Sequence, residues 1–233
     1  MKDRVELEIL LPAHNEAESI ENTVEEIYEI FSKKIDIFRF VICEDGSSDG
    51  TIEIIEKIKN SYPIKFITSK NRKRYSKAVY DGLNHANCNY LLFLDADGQC
   101  DPNDFWKFWE LRSKYDLIVG YRKNRRDPFH RRLASRLFYL FYKMRTKTEL
   151  NDPSCPFLLM NKNTLEKMKI ENYSMIDGFW WEFNALFSKH NLSRKELIIN
   201  HRLRKFGDVK TLKVSKLPKV GFHHLIKLFK LRL

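Results

Sequence analysis

The sequence predicts one α/β domain with a mostly parallel central sheet flanked by helices, and three observations lead to this fold class. Apolar runs alternate with segments of helical periodicity between residues 5 and 120, as in strand–helix–strand units with parallel strands. The chain has 233 residues, 43% of them hydrophobic and 13% aromatic, which suffices for one large core. It contains only eight glycines and seven prolines, which excludes collagen-like and linker-rich architectures.

Five strands and four intervening helices are expected before residue 122. The strands are short apolar runs at residues 5–11, 37–43, 64–68, 90–94 and 117–120. Between them, apolar residues recur three or four positions apart, as Val24, Ile27 and Phe31 do in the first helix. Pro102 suits the first turn of the fourth helix. The pattern is less regular after Arg122, so residues 1–211 are assigned to one domain and residues 212–233 to a basic amphipathic tail.

Polar residues follow three of the predicted strands. They lie at residues 12–16 (PAHNE), 44–48 (EDGSS) and 95–101 (DADGQCD). The carboxyl ends of parallel strands share one edge of the sheet, and α/β proteins bind their ligands beyond that edge. We therefore expect these three clusters, although far apart in the sequence, to form one binding site.

The third cluster places two carboxylates, Asp95 and Asp97, directly after a buried strand. Oxygen ligands of this kind suit Mg²⁺ or Mn²⁺, which keep positions for water and for substrate phosphates. A solvated turn would explain an isolated Asp-x-Asp sequence equally well. The position at a strand end favours the metal site.

The charge of the chain is unevenly distributed. Residues 1–100 contain 13 Lys and Arg against 18 Asp and Glu, whereas residues 101–233 contain 29 against 13. This polarity predicts an acidic or neutral front that performs chemistry and a basic back that meets phosphate, nucleic acid or lipid headgroups.

The cysteines and the N-terminus bear on the cellular location. Cys43, Cys88, Cys100 and Cys155 lack the spacing of zinc ligands and indicate free thiols in a reducing cytoplasm. No uncharged apolar run approaches the roughly 18 residues of a membrane span, and the first eight residues are too charged for a signal peptide.

Three segments carry a resemblance to a known family. LPAHNEAESI resembles the opening of the family 2 glycosyltransferases of the GT-A fold, VICEDGSSDGT their second-strand motif, and LLFLDADGQCDP their metal loop, in the same order and spacing. The resemblance covers residues 5–211 and is closest to the dolichol-phosphate mannose synthase-like polyprenyl-phosphate sugar transferases. It implies an inverting, metal-dependent transfer of a hexose from a nucleotide sugar, of the GDP-mannose or UDP-glucose type, to a polyprenyl (dolichyl) phosphate.

The resemblance also implies roles for individual residues. Asp95, Ala96 and Asp97 would meet the diphosphate and the metal, and Gln99 would supply a further metal ligand. Asp45 would hydrogen-bond the nucleotide base. A late loop around Gly207 would close over the donor. The other implied donor-binding residues are Pro12, His14, Glu16, Cys43, Arg122, Arg204 and Lys210.

The chain departs from the family pattern at several positions. Glu44 replaces the first aspartate of the usual DDGS, and Cys155 replaces a glycine after Asp152. Arg74 and Ser76 stand where the family has two glycines before the third helix. These changes affect the regions that select the sugar and the base, so the resemblance does not identify either.

The acceptor is expected among the cations of residues 122–147, which contain ten Lys and Arg against Asp127 alone. A lipid phosphate is already anionic at pH 7 and can attack without a general base, so cations take the place of the base. The segment HRRLASR resembles the acceptor-phosphate region of the subgroup, which makes Arg131 and Arg136 the candidate catalytic residues there. A solvated basic face is the alternative interpretation.

Two amphipathic helices are expected beside these charges. Leu133, Leu137, Leu140, Phe141 and Met144 share one helical face, and Phe222, Leu225, Ile226, Phe229 and Leu233 share another. Such helices can lie in the membrane interface or pack on the core. We expect a cytoplasmic protein that associates peripherally with the anionic cytoplasmic face of a membrane.

The sequence is compatible with two other functions. The first is a family 2 glycosyltransferase with a glycan hydroxyl acceptor, in which Asp152 or Glu182 would be the base. The second is a nucleic-acid-binding protein, suggested by the isoelectric point near 9.4 and by aromatic residues among cations, such as Tyr75, Tyr80, Phe138 and Tyr139. Nucleic-acid binding leaves the acidic clusters at the strand ends unexplained, so no nucleic acid is expected as a partner.

Overall fold

The structure is a computed structural model that describes residues 6–124, 129–168, 173–175, 178–204 and 217–231, without the side chains of residues 131 and 217–219. Seven strands lie in these ranges: β1 (Leu7–Ala13), β2 (Phe38–Glu44), β3 (Ile64–Ile67), β4 (Tyr90–Phe93), β5 (Leu117–Tyr121), β6 (Leu158–Asn161) and β7 (Arg194–Ile198). The α-helices in the same ranges are α1 (Ile20–Phe31), α2 (Thr51–Ile58), α3 (Tyr75–His85), α4 (Phe105–Leu111), α5 (Phe129–Thr146), α6 (Lys162–Met168), α7 (Phe179–Phe187) and α8 (Leu217–Lys230).

All seven strands belong to one sheet with the order β3-β2-β1-β4-β6-β5-β7. Only β6 is antiparallel to its neighbours β4 and β5 among the strands described, while β7 runs parallel to β5. The predicted mostly parallel sheet is therefore confirmed. Neither β6 nor β7 was predicted from the sequence, because β6 is a run of only four residues and β7 (RKELI) contains only two apolar residues.

Strand β1 continues through Pro12 to Ala13, two residues beyond the predicted end. Its pairing with β4 ends at Leu10, and the residues that follow pair with β2 alone. Beyond Leu10 the strand is therefore an edge, where proline is tolerated. This extension carries β1 and β2 together to the positions of the first two polar clusters.

The core is built from apolar residues of the sheet and from the buried faces of the helices. Phe31 of α1 stacks on Phe105 of α4, with ring centroids 4.3 Å apart. Helix α3 lies directly on β1 and β2 at Gly82, where an added Cβ would come within 2.1 Å of a methyl group of Leu10. A side chain at position 82 would therefore push α3 away from the strand ends that it covers.

Helix α8 packs against α5 and α7. Leu228 is buried with Tyr142, Met175 and Ala185, and Arg145 donates a hydrogen bond of 2.9 Å to the carbonyl of Leu231. The predicted domain boundary between residues 211 and 212 lies outside the described residues. No helix in the described ranges is long and apolar enough to cross a membrane.

Candidate active site

The first two polar clusters are joined by hydrogen bonds at the ends of β1 and β2. The backbone N–H of Asn15 donates to Ser47 Oγ at 2.9 Å, and Asn15 Oδ1 accepts from the N–H of Ser48 at 2.8 Å. The N–H of Glu16 donates to Thr51 Oγ1 at 2.8 Å. The prediction that these clusters meet at one edge of the sheet is confirmed.

The segment after β2 packs on the loop that precedes α3. Gly46 has a φ of +65°, and an added Cβ would lie 2.7 Å from the backbone nitrogen of Arg72. Asp45 is buried and accepts a hydrogen bond from the N–H of Lys73. Glu44 accepts from the N–H of Ser47 and from Thr68 Oγ1, so its longer side chain reaches across to the same loop.

The remaining predicted nucleotide contacts occupy different surroundings. His14 is half-buried directly after β1, and Pro12 is buried within that strand. Cys43 is part of the core, with its sulfur facing α3 at Gly82. Burial raises the pKa of the Cys43 thiol to about 12, so the side chain is neutral.

Asp95 and Asp97 lie on the loop directly after β4. The hydroxyl of Tyr75 donates a hydrogen bond of 2.9 Å to Asp95 Oδ1, and the N–H of Gln99 donates one of 3.0 Å to Asp97 Oδ1. Burial, and next the charge of Asp97, raise the pKa of Asp95 well above the ordinary aspartate value, although Tyr75 and Arg122 act in the opposite direction.

This excess of negative charge fits a divalent cation, because a metal ion would neutralise both carboxylates. Within the described residues, no group of three or more His, Cys, Asp and Glu side chains is arranged to hold a metal ion. The pair can therefore supply only part of a coordination shell. Mg²⁺ is commonly held by one or two carboxylates, with the other positions filled by substrate phosphates and water.

The loop from Asp95 to Asp101, which we call the carboxylate loop, is also fixed by hydrogen bonds that involve backbone carbonyls. The carbonyl of Ala96 accepts a hydrogen bond of 3.2 Å from Thr23 Oγ1, and Gly98 adopts a φ of +68°. Gln99 Nε2 donates to the carbonyl of Arg202 at 3.3 Å. The amide of Gln99 therefore links this loop to the segment around residue 202.

Arg204 joins the first polar cluster to the third. Its Nη2 forms an ion pair with Glu16, and its Nη1 lies 4.0 Å from Asp97 Oδ2. Two residues earlier, Arg202 forms ion pairs of 2.6 Å with both Glu26 and Asp101. Residues 202–204 therefore contact the carboxylate loop, while Gly207 and Lys210 lie outside the described residues.

Arg122 follows β5 and is buried in an ion pair with Asp152. Its Nε and Nη2 donate to the two carboxylate oxygens at 2.7 and 3.0 Å, and Nη2 also donates to Ser154 Oγ at 2.9 Å. The nearby Asp152 carboxylate raises the pKa of Arg122 well above its ordinary value despite its burial. Arg122 is thus a fixed cation near Asp95.

A cavity of about 620 Å³ adjoins this ion pair, between the end of β5 and helix α5. Arg122, Lys123, Arg132 and Arg136 supply cations to its wall, and Tyr139 and Trp181 supply aromatic rings. Arg136 was predicted from the sequence. Arg132 also lines the cavity, whereas the side chain of Arg131, the other arginine predicted from the sequence, is not among those that the structure describes.

The predicted amphipathic face of α5 is exposed to solvent. Leu137 is 52% exposed and Met144 is 67% exposed, whereas Tyr142 on the opposite side of the helix is buried. On α8, Phe222 and Phe229 are exposed and Leu228 is buried. We call this exposed set the α5–α8 apolar surface: Phe129, Leu133, Leu137, Leu140, Phe141, Met144, Phe222, Ile226 and Phe229.

The side chains that hold Asp95 were not predicted from the sequence. Trp180 Nε1 donates a hydrogen bond of 2.8 Å to the hydroxyl of Tyr75, which in turn donates to Asp95. The sequence offered one signal for this contact: Tyr75 directly precedes Ser76, which replaces a family glycine.

Glu182 on α7 accepts three hydrogen bonds from Ser174 and Met175, so both of its carboxylate oxygens are engaged by that segment.

The mixed sheet, the carboxylate loop after β4 and the joined polar clusters define a GT-A-type α/β protein with a candidate nucleotide–diphosphate site. Residues 8–169 match the profile of glycosyl transferase family 2. The chain therefore belongs to this family, as the sequence motifs indicated.

Two relatives carry the name undecaprenyl-phosphate 4-deoxy-4-formamido-L-arabinose transferase. The Proteus mirabilis (strain HI4320) protein is 24% identical over 164 residues, which cover 69% of this chain and 50% of that protein. The Yersinia enterocolitica (serotype O:8) protein is 24% identical over 208 residues, covering 87% of this chain and 61% of that protein. The chain thus spans about half the length of the first relative and three fifths of the second.

The fold is similar to that of glucosyl-3-phosphoglycerate synthase from Mycobacterium tuberculosis, solved in complex with Mn²⁺, UDP and glucosyl-3-phosphoglycerate. The TM-score is 0.65 at 16% sequence identity, with 97% of this chain and 79% of that chain covered. At this level of identity the similarity establishes the GT-A fold alone.

Proposed function

We propose that this protein is an inverting, metal-dependent glycosyltransferase that moves a hexose from a nucleotide sugar to a polyprenyl phosphate. The observation that carries the proposal is the basic cavity beside Arg122. Four cations line it, one of which, Arg122, interacts with the charge of Asp95, and a lipid phosphate is the acceptor whose charge they would complement. The names of the Proteus and Yersinia relatives support a polyprenyl-phosphate acceptor.

The donor would lie across the ends of β1, β2 and β4. Asp45 and the neighbouring backbone would meet the base, with Pro12, His14, Glu16 and Cys43 forming the surroundings. Asp95 and Asp97 would hold Mg²⁺ or Mn²⁺, which when bound neutralises negative charge on the departing diphosphate. We expect the nucleotide sugar to be of the GDP-mannose or UDP-glucose type.

Arg204 and Lys210 would cover the diphosphate from the late loop. Arg204 already lies between Glu16 and Asp97, so its guanidinium is within reach of a diphosphate held by the carboxylate loop. Hydrogen-bond donors that are already positioned around the leaving group stabilise the charge that develops in the transition state. Arg122, held by Asp152, would contribute a further positive charge between donor and acceptor.

The engagement of the candidate bases favours a phosphate acceptor over a hydroxyl acceptor. Asp152 is held by the guanidinium of Arg122, and Glu182 is held by Ser174 and Met175. A sugar hydroxyl needs a base to take its proton, whereas a phosphate oxygen is already negatively charged. A transferase acting on a glycan hydroxyl would have to break one of these buried contacts.

The α5–α8 apolar surface supports an approach to the membrane. Its leucine, methionine and phenylalanine side chains are exposed on helices that also carry cations, as in helices that lie in the membrane interface. We place the protein peripherally on the cytoplasmic face of a membrane, where its buried free thiols would remain reduced.

A transfer assay tests the proposal. The protein is incubated with UDP- and GDP-sugars and a short-chain polyprenyl phosphate, with and without Mn²⁺, and products are identified by mass spectrometry. We expect a glycosylated lipid phosphate only when the metal is present. A polyprenol without the phosphate is the matched control acceptor. Transfer to the polyprenol or to a glycan, with none to the lipid phosphate, would contradict the proposal.

A further inference from the structure

Tyr75 and Trp180 form a chain of hydrogen bonds that ends on the carboxylate loop. Trp180 Nε1 lies 2.8 Å from the hydroxyl oxygen of Tyr75, which lies 2.9 Å from Asp95 Oδ1. An indole N–H can only donate, so the oxygen of Tyr75 accepts from it. The hydroxyl hydrogen of Tyr75 is therefore directed at Asp95.

Trp180, the first donor of this hydrogen-bond series, is anchored in the core. The indole of Trp180 is 5% exposed and packs edge-on against Phe93, the last residue of β4, with ring centroids 4.8 Å apart. Trp180 also contacts the rings of Phe179 and Phe183 on its own helix. The indole N–H of Trp180 thus moves only if α7 moves relative to β4.

Tyr75, the middle member of the series, is held in place by the beginning of α3. Tyr75 is the first residue of α3, and the next residue, Ser76, donates a hydrogen bond of 2.6 Å to the carbonyl of Met175. A phenolic hydroxyl carries a single hydrogen, and the oxygen of Tyr75 already accepts from Trp180, so this hydrogen is the one that Tyr75 donates to Asp95. Tyr75 is thereby a constant donor.

We propose that Tyr75, itself oriented by Trp180, is a positioning residue that fixes the orientation of Asp95 for the metal–diphosphate complex. The proposal rests on the metal dependence in the proposed function. The hydroxyl occupies one position on Asp95 Oδ1 and opposes rotation of a carboxylate that is repelled by Asp97. Hydrogen-bonding partners of metal ligands commonly contribute 10- to 100-fold to metal affinity.

The test measures Mn²⁺ binding rather than turnover. Free Mn²⁺ is followed by electron paramagnetic resonance as protein is added in the presence of UDP or of GDP. Tyr75→Phe keeps the ring and removes the donor, and we expect it to weaken Mn²⁺ binding about 10-fold. Tyr80→Phe, on the same helix, removes a hydroxyl that is not part of this hydrogen-bond series, and the Mn²⁺ affinity of that variant should equal that of the wild type.

Trp180→Phe provides an independent variant. It removes the N–H that orients Tyr75 and should weaken Mn²⁺ binding in the same direction, including in the case that Tyr75→Phe does not fold. A folded Tyr75→Phe or Trp180→Phe protein with wild-type Mn²⁺ affinity and a lower melting temperature would show a purely structural bond and overturn the proposal. A wild-type protein that binds no Mn²⁺ with either nucleotide would overturn the metal-dependent function as well.

Discussion

The carboxylate of Asp152 holds the guanidinium of Arg122 through two hydrogen bonds of 2.7 and 3.0 Å, and both residues are buried. Proton transfer to Asp152 would leave the charge of Arg122 buried without its counter-charge, which costs several kcal/mol. The pair therefore acts as a fixed part of the cavity wall. This relationship favours an acceptor that needs no base and leads to the first prediction.

Arg136→Gln should raise the KM for a short-chain polyprenyl phosphate without changing the KM for the nucleotide sugar. Arg136 lines the basic cavity, and losing one charge-assisted hydrogen bond costs about 1.5–3 kcal/mol, or roughly 10-fold or more in affinity. Steady-state kinetics with each substrate varied in turn measures both constants. Lys143→Gln is the matched control, because Lys143 is exposed on the same helix and does not line the cavity. Equal effects of the two variants would contradict the assignment.

Asp97→Asn should lower the rate of transfer on the order of 10²-fold or more and leave the fold intact, as expected when a stabiliser of transition-state charge is removed. Transfer rates and a thermal melt measure the two outcomes. Asp36→Asn makes the same change of charge at an exposed position before β2 and should have wild-type activity. A folded Asp97→Asn protein with near-normal activity would exclude the metal site.

Arg204→Gln should weaken nucleotide-sugar binding by about 2 kcal/mol, or roughly 30-fold in Kd, because a charged hydrogen bond to the diphosphate is lost. Calorimetry measures the affinity. Arg202→Gln is the control, since Arg202 is engaged by Glu26 and Asp101, and it should lower the melting temperature with little change in Kd. Lys210→Gln should resemble Arg204→Gln. Unchanged affinity in both the Arg204 and Lys210 variants would assign the late loop a structural role.

Arg74→Gly should be more stable than Arg74→Ala by about 1 kcal/mol or more. Arg74 has φ 76° and ψ 161°, a conformation that glycine adopts readily and other residues do not. Both variants remove the same side-chain interactions, so their difference is the backbone strain that glycine relieves, minus the extra entropy that glycine has in the unfolded state. Urea denaturation gives the two free energies of unfolding. An Arg74→Ala protein that is more stable than Arg74→Gly would mean that residue 74 is not strained in solution.

The same position shows what the sequence can and cannot predict. The replacement of a family glycine by Arg74 was visible in the sequence, but the retained positive φ was not, because it depends on where α3 begins. The polar clusters were predictable since parallel strands bring their carboxyl ends to one edge. The bonds from Tyr75 to Asp95 and from Arg122 to Asp152 were not, because they join residues 20 and 30 positions apart without any local periodicity.

The last prediction concerns attachment to a lipid surface. Each basic residue near an anionic membrane contributes about 1 kcal/mol, and this contribution weakens with salt, whereas insertion of apolar side chains does not. Vesicles with anionic lipid should therefore sediment the protein at low ionic strength, and neutral vesicles should do so poorly. Neutralising Arg131, Arg132 and Arg136 together to glutamine should remove about 3 kcal/mol of binding at low salt.

Two further variants separate charge from apolar insertion. Gln at Lys33, Lys114 and Lys189 removes the same charge at exposed positions elsewhere and should leave vesicle binding close to that of the wild type. Phe222→Gln with Phe229→Gln removes exposed rings while keeping the buried Leu228 that holds α8 on the core. This double variant should bind weakly at every salt concentration, because its loss is apolar. Equal sedimentation of the wild type and all variants across the salt series would mean that a different surface meets the lipid.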